Sequence, residues 1–262
     1  MKRAIKLAIK KFGRNVLKRI PQRYSRLIFN NILENNIAWG QLIVDEWLVK
    51  NKLIVCSGML TLGHERKEYV FQNDAQNDYI RMSSLELIAK EIYDNNIDGS
   101  VAELGVFKGD FSKAINVAFP DRKLYLFDTF NGFDGRDVKI EFENKYSTAY
   151  NDFSGTDVQM VLAKMKIKEN CIIKKGYFPE SASGIDDNFA FVSIDVDLYE
   201  PMYNGLKYFY SKLTKGGYIL LHDYNNISYN GVKMALKKFS RERHVPYFPI
   251  CDNWGSAVIM KM

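Results

Sequence analysis

Phe189-Ala-Phe-Val-Ser-Ile-Asp195-Val-Asp197-Leu-Tyr199 and, one segment later, Tyr218-Ile-Leu-Leu-His222-Asp223-Tyr224 decide the reading of this chain. Each is a short apolar run that reads as a buried strand, and each ends abruptly in acids. If the two strands are parallel neighbours, both acidic ends open into one crevice, where open α/β sheets bind ligands. Hard oxygen ligands gathered there suit a divalent cation such as Mg²⁺, and a remaining carboxylate can act as a base. Capping the following helices needs one Asp per helix and does not account for the cluster.

Working outward, strands and helices alternate. Strand readings cover 101–106, 124–127, 171–174, 189–194 and 218–221; helix readings cover 83–95, 110–118, 157–166, 200–212 and 231–242. This alternation predicts a doubly wound, Rossmann-like, mostly parallel sheet of seven strands. The last two strands, 246–250 and 256–260, have no helix between them and form an antiparallel hairpin at its edge. Residues 131–155, rich in Asp, Asn, Gly and Tyr, read as a mobile lid, with Tyr146, Tyr150, Asn151 and Asp152 suited to a polyhydroxylated ligand.

The chain has 262 residues and a formal charge of +6, but the charge is not spread evenly. Residues 1–26 hold ten Lys/Arg and no acid, leaving 27 bases against 31 acids in the remainder. Ile5, Ile9, Phe12, Val16 and Ile20 share one helical stripe beside Lys6, Lys10, Arg14 and Lys18. Such a cationic helix can lie on an anionic membrane surface, and equally can pack on the protein or on a second copy. Pro21 ends it, residues 23–60 read as further helix, and 61–80 as a loop carrying His64. The expected domains are therefore an N-terminal helical extension, 1–78, and a catalytic domain, 79–262. No apolar run reaches the ~18–20 residues of a membrane span, and lysines interrupt any secretory signal. Cys56, Cys171 and Cys251 share no metal-ligand spacing, as expected of small hydrophobes in a reducing cytoplasm.

Glu103-Leu-Gly105-Val-Phe107-Lys-Gly109 stands at the first strand-to-helix turn, where glycines let the backbone approach a nucleoside. The dinucleotide fingerprint needs a third glycine where Phe111 or Ser112 stands. An acid within the turn suits a cofactor carrying an ammonium group rather than a pyrophosphate. Asp128, at the end of the second strand, is placed to chelate ribose hydroxyls, or to cap the turn at Thr129.

These stretches, with Met82-Ser-Ser-Leu-Glu86, Leu126-Phe-Asp-Thr-Phe-Asn-Gly-Phe133 and Lys175-Gly-Tyr-Phe-Pro-Glu180, resemble the macrocin-type sugar O-methyltransferases. That family belongs to the class I S-adenosylmethionine-dependent methyltransferases, and the resemblance covers about residues 79–260. It implies that Glu103, Gly105, Phe107, Gly109 and Ser112 line the methionine and ribose portion of S-adenosylmethionine, and that Met82 and Asp195 also belong to the cofactor-binding set. Asp128 would hold the ribose, and Gly176, Tyr177 and Phe178 would border the adenine. Asp195 and Asp223 match metal-binding aspartates and Asp197 the general base. His222 departs from the pattern, since relatives commonly carry two adjacent acids here. It is either a third metal ligand, for Mg²⁺ or another divalent cation, or an alternative base, with Asp197, Asn225 or water filling the metal position otherwise.

The chemistry agrees with the resemblance. A sugar hydroxyl is a poor nucleophile at neutral pH, so it must be oriented toward the methyl donor and relieved of its proton. The expected acceptor is a nucleotide sugar or a surface-glycan precursor, as in polysaccharide biosynthesis. No nucleic-acid partner is expected, since the Asp/Asn-Pro-Pro-Tyr/Phe motif of nucleobase-amine methyltransferases is missing. A homodimer or larger homo-oligomer, cytoplasmic and peripheral to the inner membrane through residues 1–20, completes the expectation. A catechol-type methyltransferase shares the same metal logic; a nucleotide-dependent oxidoreductase needs the full glycine fingerprint, which the turn at Gly105 and Gly109 does not carry. A non-catalytic membrane-surface module leaves the acids unexplained. His64 and His244 read as surface or packing histidines.

Overall fold

The computed structural model describes residues 53–56, 59–62, 79–252 and 254–262, and the chain divides into two compact units, Met1–Asn77 and Asp78–Met262. The basic arm over residues 1–20, and His64, lie outside the described residues. In the first unit β1 (Leu53–Cys56) pairs antiparallel with β2 (Met59–Leu62), with Cys56 opposite Met59. The helical reading of 23–60 and the loop reading from 61 therefore fail over these residues. Two four-residue apolar runs on either side of Ser57-Gly58 are too short for a helix and suit a two-residue hairpin connection.

The second unit runs α1 (Tyr79–Asp94), β3 (Ser100–Leu104), α2 (Asp110–Ala118), β4 (Leu124–Asp128), α3 (Gly135–Asn144), α4 (Val158–Lys164) and β5 (Cys171–Lys175). It continues with β6 (Phe189–Ile194), α5 (Tyr199–Lys212), β7 (Leu213–Leu221), α6 (Asn230–Arg243), β8 (Phe248–Ile250) and β9 (Ser256–Met260). The seven strands lie in the order β5-β4-β3-β6-β7-β9-β8. β3 to β7 are parallel, while β9 pairs antiparallel with both β7 and β8. The chain winds outward in one direction from β3 and then in the other from β6. The topological switch point thus falls between β3 and β6.

Burial explains the central strands. Every residue of β3 and of β6 is buried, as a parallel strand covered by helices on both faces requires. Around β6 the rings of Phe127, Phe178, Phe189 and Phe209 pack with centroids 5.2–5.6 Å apart. Each such ring contributes about 1.5–3 kcal/mol on burial.

Within 131–155, the stretch read as a lid, the structure shows a helix that the sequence did not announce. Gly135–Asn144 is a helix whose N-cap, Asp134, accepts from the Arg136 N–H. Glu141, fully buried on that helix, accepts from the Tyr199 N–H at 2.7 Å and from the Ser147 hydroxyl. It therefore caps α5, whose own N-cap residue, Leu198, offers no side-chain acceptor. Beyond α3, Phe153 meets Phe107 and Phe133 edge-on, and Thr156 donates to the Phe107 carbonyl. A cap and tertiary hydrogen bonds hold this segment, with no apolar stripe to mark it in the sequence.

Candidate active site

The strand registers assemble the site. Leu104 lies opposite both Phe127 and Ile194, and Ile194 opposite Leu221. The next residue on each strand is therefore Asp128, Gly105, Asp195 and His222, in one row across the switch point. The ladder continues into this row, with Gly105 N–H donating to Phe127, Asp195 N–H to Leu104 and His222 N–H to Ile194. A Cβ on Gly105 would stand 1.9 Å from the Asp195 carbonyl oxygen, so only glycine permits these two loops to meet. Gly109 is likewise a packing glycine, with Val161 Cγ1 2.9 Å from where its Cβ would lie. Phe107, Asp197 and Asp223 all adopt left-handed backbone conformations, at φ 48°, 58° and 60°. Three such non-glycine residues at the ends of adjacent strands concentrate strain at this edge.

On the β3–β4 side, backbone and acids interlock. Asp128 Oδ2 accepts from the Val106 and Phe107 N–H groups at 2.8 Å each, and Oδ1 from Phe130 N–H at 2.7 Å. It thus holds the glycine turn and an Asx turn at Phe130 rather than capping a helix. Glu103 is fully buried, hydrogen-bonded by Ser112, and burial pushes its pKa up to about 8 against the opposing pull of Ser112 and Arg81. Met82 is a buried core residue of α1. Phe178 is 4% exposed, stacked on Phe209, and belongs to the core. A Cβ on Gly176 would meet Ser181 Cβ at an ordinary contact distance of 3.8 Å, but its φ of 134° disfavours a side chain. Tyr177 donates its hydroxyl to Asp137 at 2.9 Å, and the Arg136 guanidinium covers its ring at 3.5 Å.

On the β6–β7 side, charges face one another. His222 Nδ1 lies 3.3 Å from Asp195 Oδ1 and 3.2 Å from Asp223 Oδ2. Arg81 brings a terminal nitrogen within 2.9 Å of Asp195 Oδ2. Burial would raise the Asp195 pKa, but the charges of Arg81 and then His222 outweigh it and hold the carboxyl well below the usual range. Burial works to lower the His222 pKa too, yet the Asp195 charge overcomes it and raises the imidazole to about 10. Asp197 moves oppositely: burial, then the neighbouring charges of Asp223 and Asp195, raise its pKa well above the ordinary carboxylate value, and it shares a hydrogen bond with Asp223. These neighbours therefore favour the protonated imidazole of His222 and the neutral form of Asp197 more than in the free side chains.

Asp195, His222 and Asp223 form a cluster whose ligand atoms all lie within 4.8 Å of one another. Two carboxylate oxygens and one imidazole nitrogen suit a first-row transition ion better than Mg²⁺, which prefers an all-oxygen shell. Binding would release the imidazole proton. Asn225 is occupied elsewhere, accepting from Lys233 Nζ at 2.8 Å, and it is Asn226 that donates to Asp223. Three residues beyond the motifs prove central: Arg81, Glu141 and Tyr229. Tyr229 is buried, stacks on Tyr150 with centroids 5.8 Å apart and accepts from the Asn151 N–H. Burial, with contributions from the Asp197 and Asp223 charges, pushes its pKa up to about 12. Beside it opens a cavity of about 450 Å³ lined by Phe142, Lys145, Tyr146, Tyr150, Ile227 and Ser228. His244 ends α6 as an exposed C-cap.

Comparison with known proteins places this geometry in context. The sequence profile of the macrocin-O-methyltransferase (TylF) family matches residues 78–257. A Streptomyces olivaceus protein described as 8-demethyl-8-(2,3-dimethoxy-α-L-rhamnosyl)-tetracenomycin-C 4′-O-methyltransferase is 22% identical over 156 residues. That match covers 55% of this chain and 60% of the relative. Among solved structures, the O-methyltransferase NovP superimposes with a TM-score of 0.56 at 17% identity, over 70% of this chain and 79% of its own. A calicheamicin methyltransferase does so with a TM-score of 0.56 at 18% identity, over 91% and 92%. These two share the fold.

Proposed function

The chain belongs to the macrocin-O-methyltransferase family, and from that premise we propose that it transfers the methyl group of S-adenosylmethionine to a sugar hydroxyl. The observation that carries this reading is the single row Asp128, Gly105, Asp195 and His222 across the switch point, with Asp197 and Asp223 beside it. It sets the glycine turn after β3 and the acidic loops after β6 and β7 edge to edge.

On the β3–β4 side the donor set is acidic, which fits a cofactor bearing ammonium and sulfonium charges. When bound there, S-adenosylmethionine supplies an electrophilic methyl group. Asp128 has a lone-pair position left for a ribose hydroxyl after accepting three backbone N–H groups. Glu103 and Ser112 stand behind the turn, and Gly176 and Tyr177 are the adenine-facing candidates, Phe178 supporting them from the core. Across the row, Asp197 in its ionised form takes the proton from the acceptor hydroxyl. Its raised pKa makes it a stronger base near neutral pH than an ordinary carboxylate. A divalent ion would be held by Asp195, His222 and Asp223 and would supply Lewis acidity to the hydroxyl. His222, as an imidazolium, can supply positive charge at the same place, which keeps it an alternative participant.

The cavity at Tyr150 and Ile227 is proposed to take the acceptor, its aromatic faces matching the apolar face of a sugar ring and Lys145 matching an anion. That supports a nucleotide sugar or lipid-linked glycan, made in the cytoplasm. The basic stripe of residues 1–20 would bring the enzyme to an anionic inner membrane surface, or join two copies. The test is mass spectrometry of products after incubation of the full-length protein with S-adenosylmethionine and a panel of nucleotide sugars, lipid-linked glycans and catechols. A methylated sugar is the expected result; methylation confined to catechols would replace this reading.

A further inference from the structure

Arg81 has no place in the motifs that define the site, yet it lies at its centre. It stands in the first turn of α1, far in sequence from Asp195, and reaches Asp195 Oδ2 at 2.9 Å. The two side chains are only 10% and 24% exposed. Beneath the guanidinium, 3.9 Å away, is the ring of Phe111 on α2. A planar cation resting on an aromatic face is held in one orientation, so its contact with Asp195 is built in. Arg81 also contributes to the field at Glu103. Arginine keeps its charge throughout the accessible pH range. It therefore gives Asp195 a permanent positive partner on one oxygen, while the other oxygen faces His222.

We propose that Arg81 is the resident cation of the crevice and controls how a metal ion is accepted there. A divalent ion at Asp195, His222 and Asp223 would stand within a few ångströms of the guanidinium and compete with it for Asp195. Like-charge repulsion in a partly buried site is weakly screened, so the cost falls directly on metal affinity. With Arg81 in place the native chain binds divalent ions weakly. Removing its charge frees Asp195 and turns the same three residues into a stronger metal site. This deepens the proposed function and rests on its assignment of the crevice, but it concerns binding that can be measured without methyl transfer.

The experiment is Mn²⁺ titration of the cofactor-free full-length protein by calorimetry, with free Mn²⁺ followed by electron paramagnetic resonance. Wild type is compared with Arg81→Met, which can still pack on Phe111, and with Arg81→Lys. Arg81→Met should tighten Mn²⁺ binding by about tenfold or more, while Arg81→Lys stays near wild type. Adding Asp195→Asn to Arg81→Met should abolish the gain. Equal or weaker Mn²⁺ binding by Arg81→Met, or a gain that survives Asp195→Asn, overturns the proposal. Should Arg81→Met fail to fold, Arg81→Gln retains a hydrogen-bond donor without the charge and carries the same two outcomes. S-adenosylmethionine binding, measured on the wild-type sample, separates the two readings. Its absence removes the methyltransferase assignment and leaves the Mn²⁺ comparison standing.

Discussion

The glycine turn after β3 and the acidic loops after β6 and β7 meet along one row of strand ends, but they are stabilised in different ways. On the turn side, backbone N–H groups satisfy Asp128, and Glu103 sits buried with a raised pKa and Ser112 as partner. On the crevice side, the Arg81 guanidinium and the His222 imidazole, its pKa raised by the Asp195 charge, face the carboxylates. The first side is local, its partners lying within about one βα unit. The second draws Arg81 from a helix more than a hundred residues upstream. A local backbone network tolerates the exchange of a distant side chain; a balanced charge cluster does not, because each member sets the protonation of the others.

The sharpest way to break this comparison is at the base. Asp197→Asn should lower turnover by ~10²–10⁴ while cofactor affinity stays near wild type. The wild-type rate should fall as the pH is lowered and Asp197 gains its proton. That acid limb should lie above the usual carboxylate range, because burial and the neighbouring acids raise its pKa. A pH profile unchanged in the variant would remove Asp197 as base. Next in size is Gly105→Ala, which attacks both sides together. Its Cβ would overlap the Asp195 carbonyl, and its φ of 87° disfavours a side chain. We expect a stability loss of about 2–4 kcal/mol in chemical denaturation. A loss below about 1 kcal/mol would mean that the loops can separate freely.

Asp128→Ala tests the turn side alone and should weaken S-adenosylmethionine binding by about 1.5–3 kcal/mol. Calorimetry reads it, and a drop in turnover without loss of affinity would contradict the role. The smallest effect concerns pH and stability. Glu103 has a reference pKa of 4.5 and about 8 in the fold, so between these values the folded state binds the extra proton. Stability from this group is then present below pH 4.5 and lost as the pH rises toward 8. Thermal unfolding should show a shallower decline from pH 6 to 8 in Glu103→Gln than in wild type. Parallel curves would place the ionisation elsewhere.

Much of this was legible in the sequence, for definite reasons. Phe189–Ile194 is an uninterrupted apolar run between turn signals, so its strand bounds were readable without a structure. Helix Asp110–Ala118 likewise follows a glycine turn and matches its reading. Helix Gly135–Asn144 was not readable, because Asp134 and Glu141 hold it through bonds to Arg136 and Tyr199 instead of through an apolar face. The hairpin of Leu53–Cys56 and Met59–Leu62 was obscured by its setting among helix-like aromatic sequence.

By itself the sequence determined the alternating architecture, the acids at the ends of two strands, the glycine turn and the family. Each is written in local periodicity or in contiguous motifs, which a linear reading can see. Only the tertiary structure decided that Gly105 is required by the Asp195 carbonyl, that Phe178 packs in the core, and that Arg81 joins the acidic crevice. It also decided the direction in which the pKa values of Asp197 and His222 move. Those properties depend on distance and burial in three dimensions, and a charge interaction between residues 81 and 195 leaves no trace in the spacing of either.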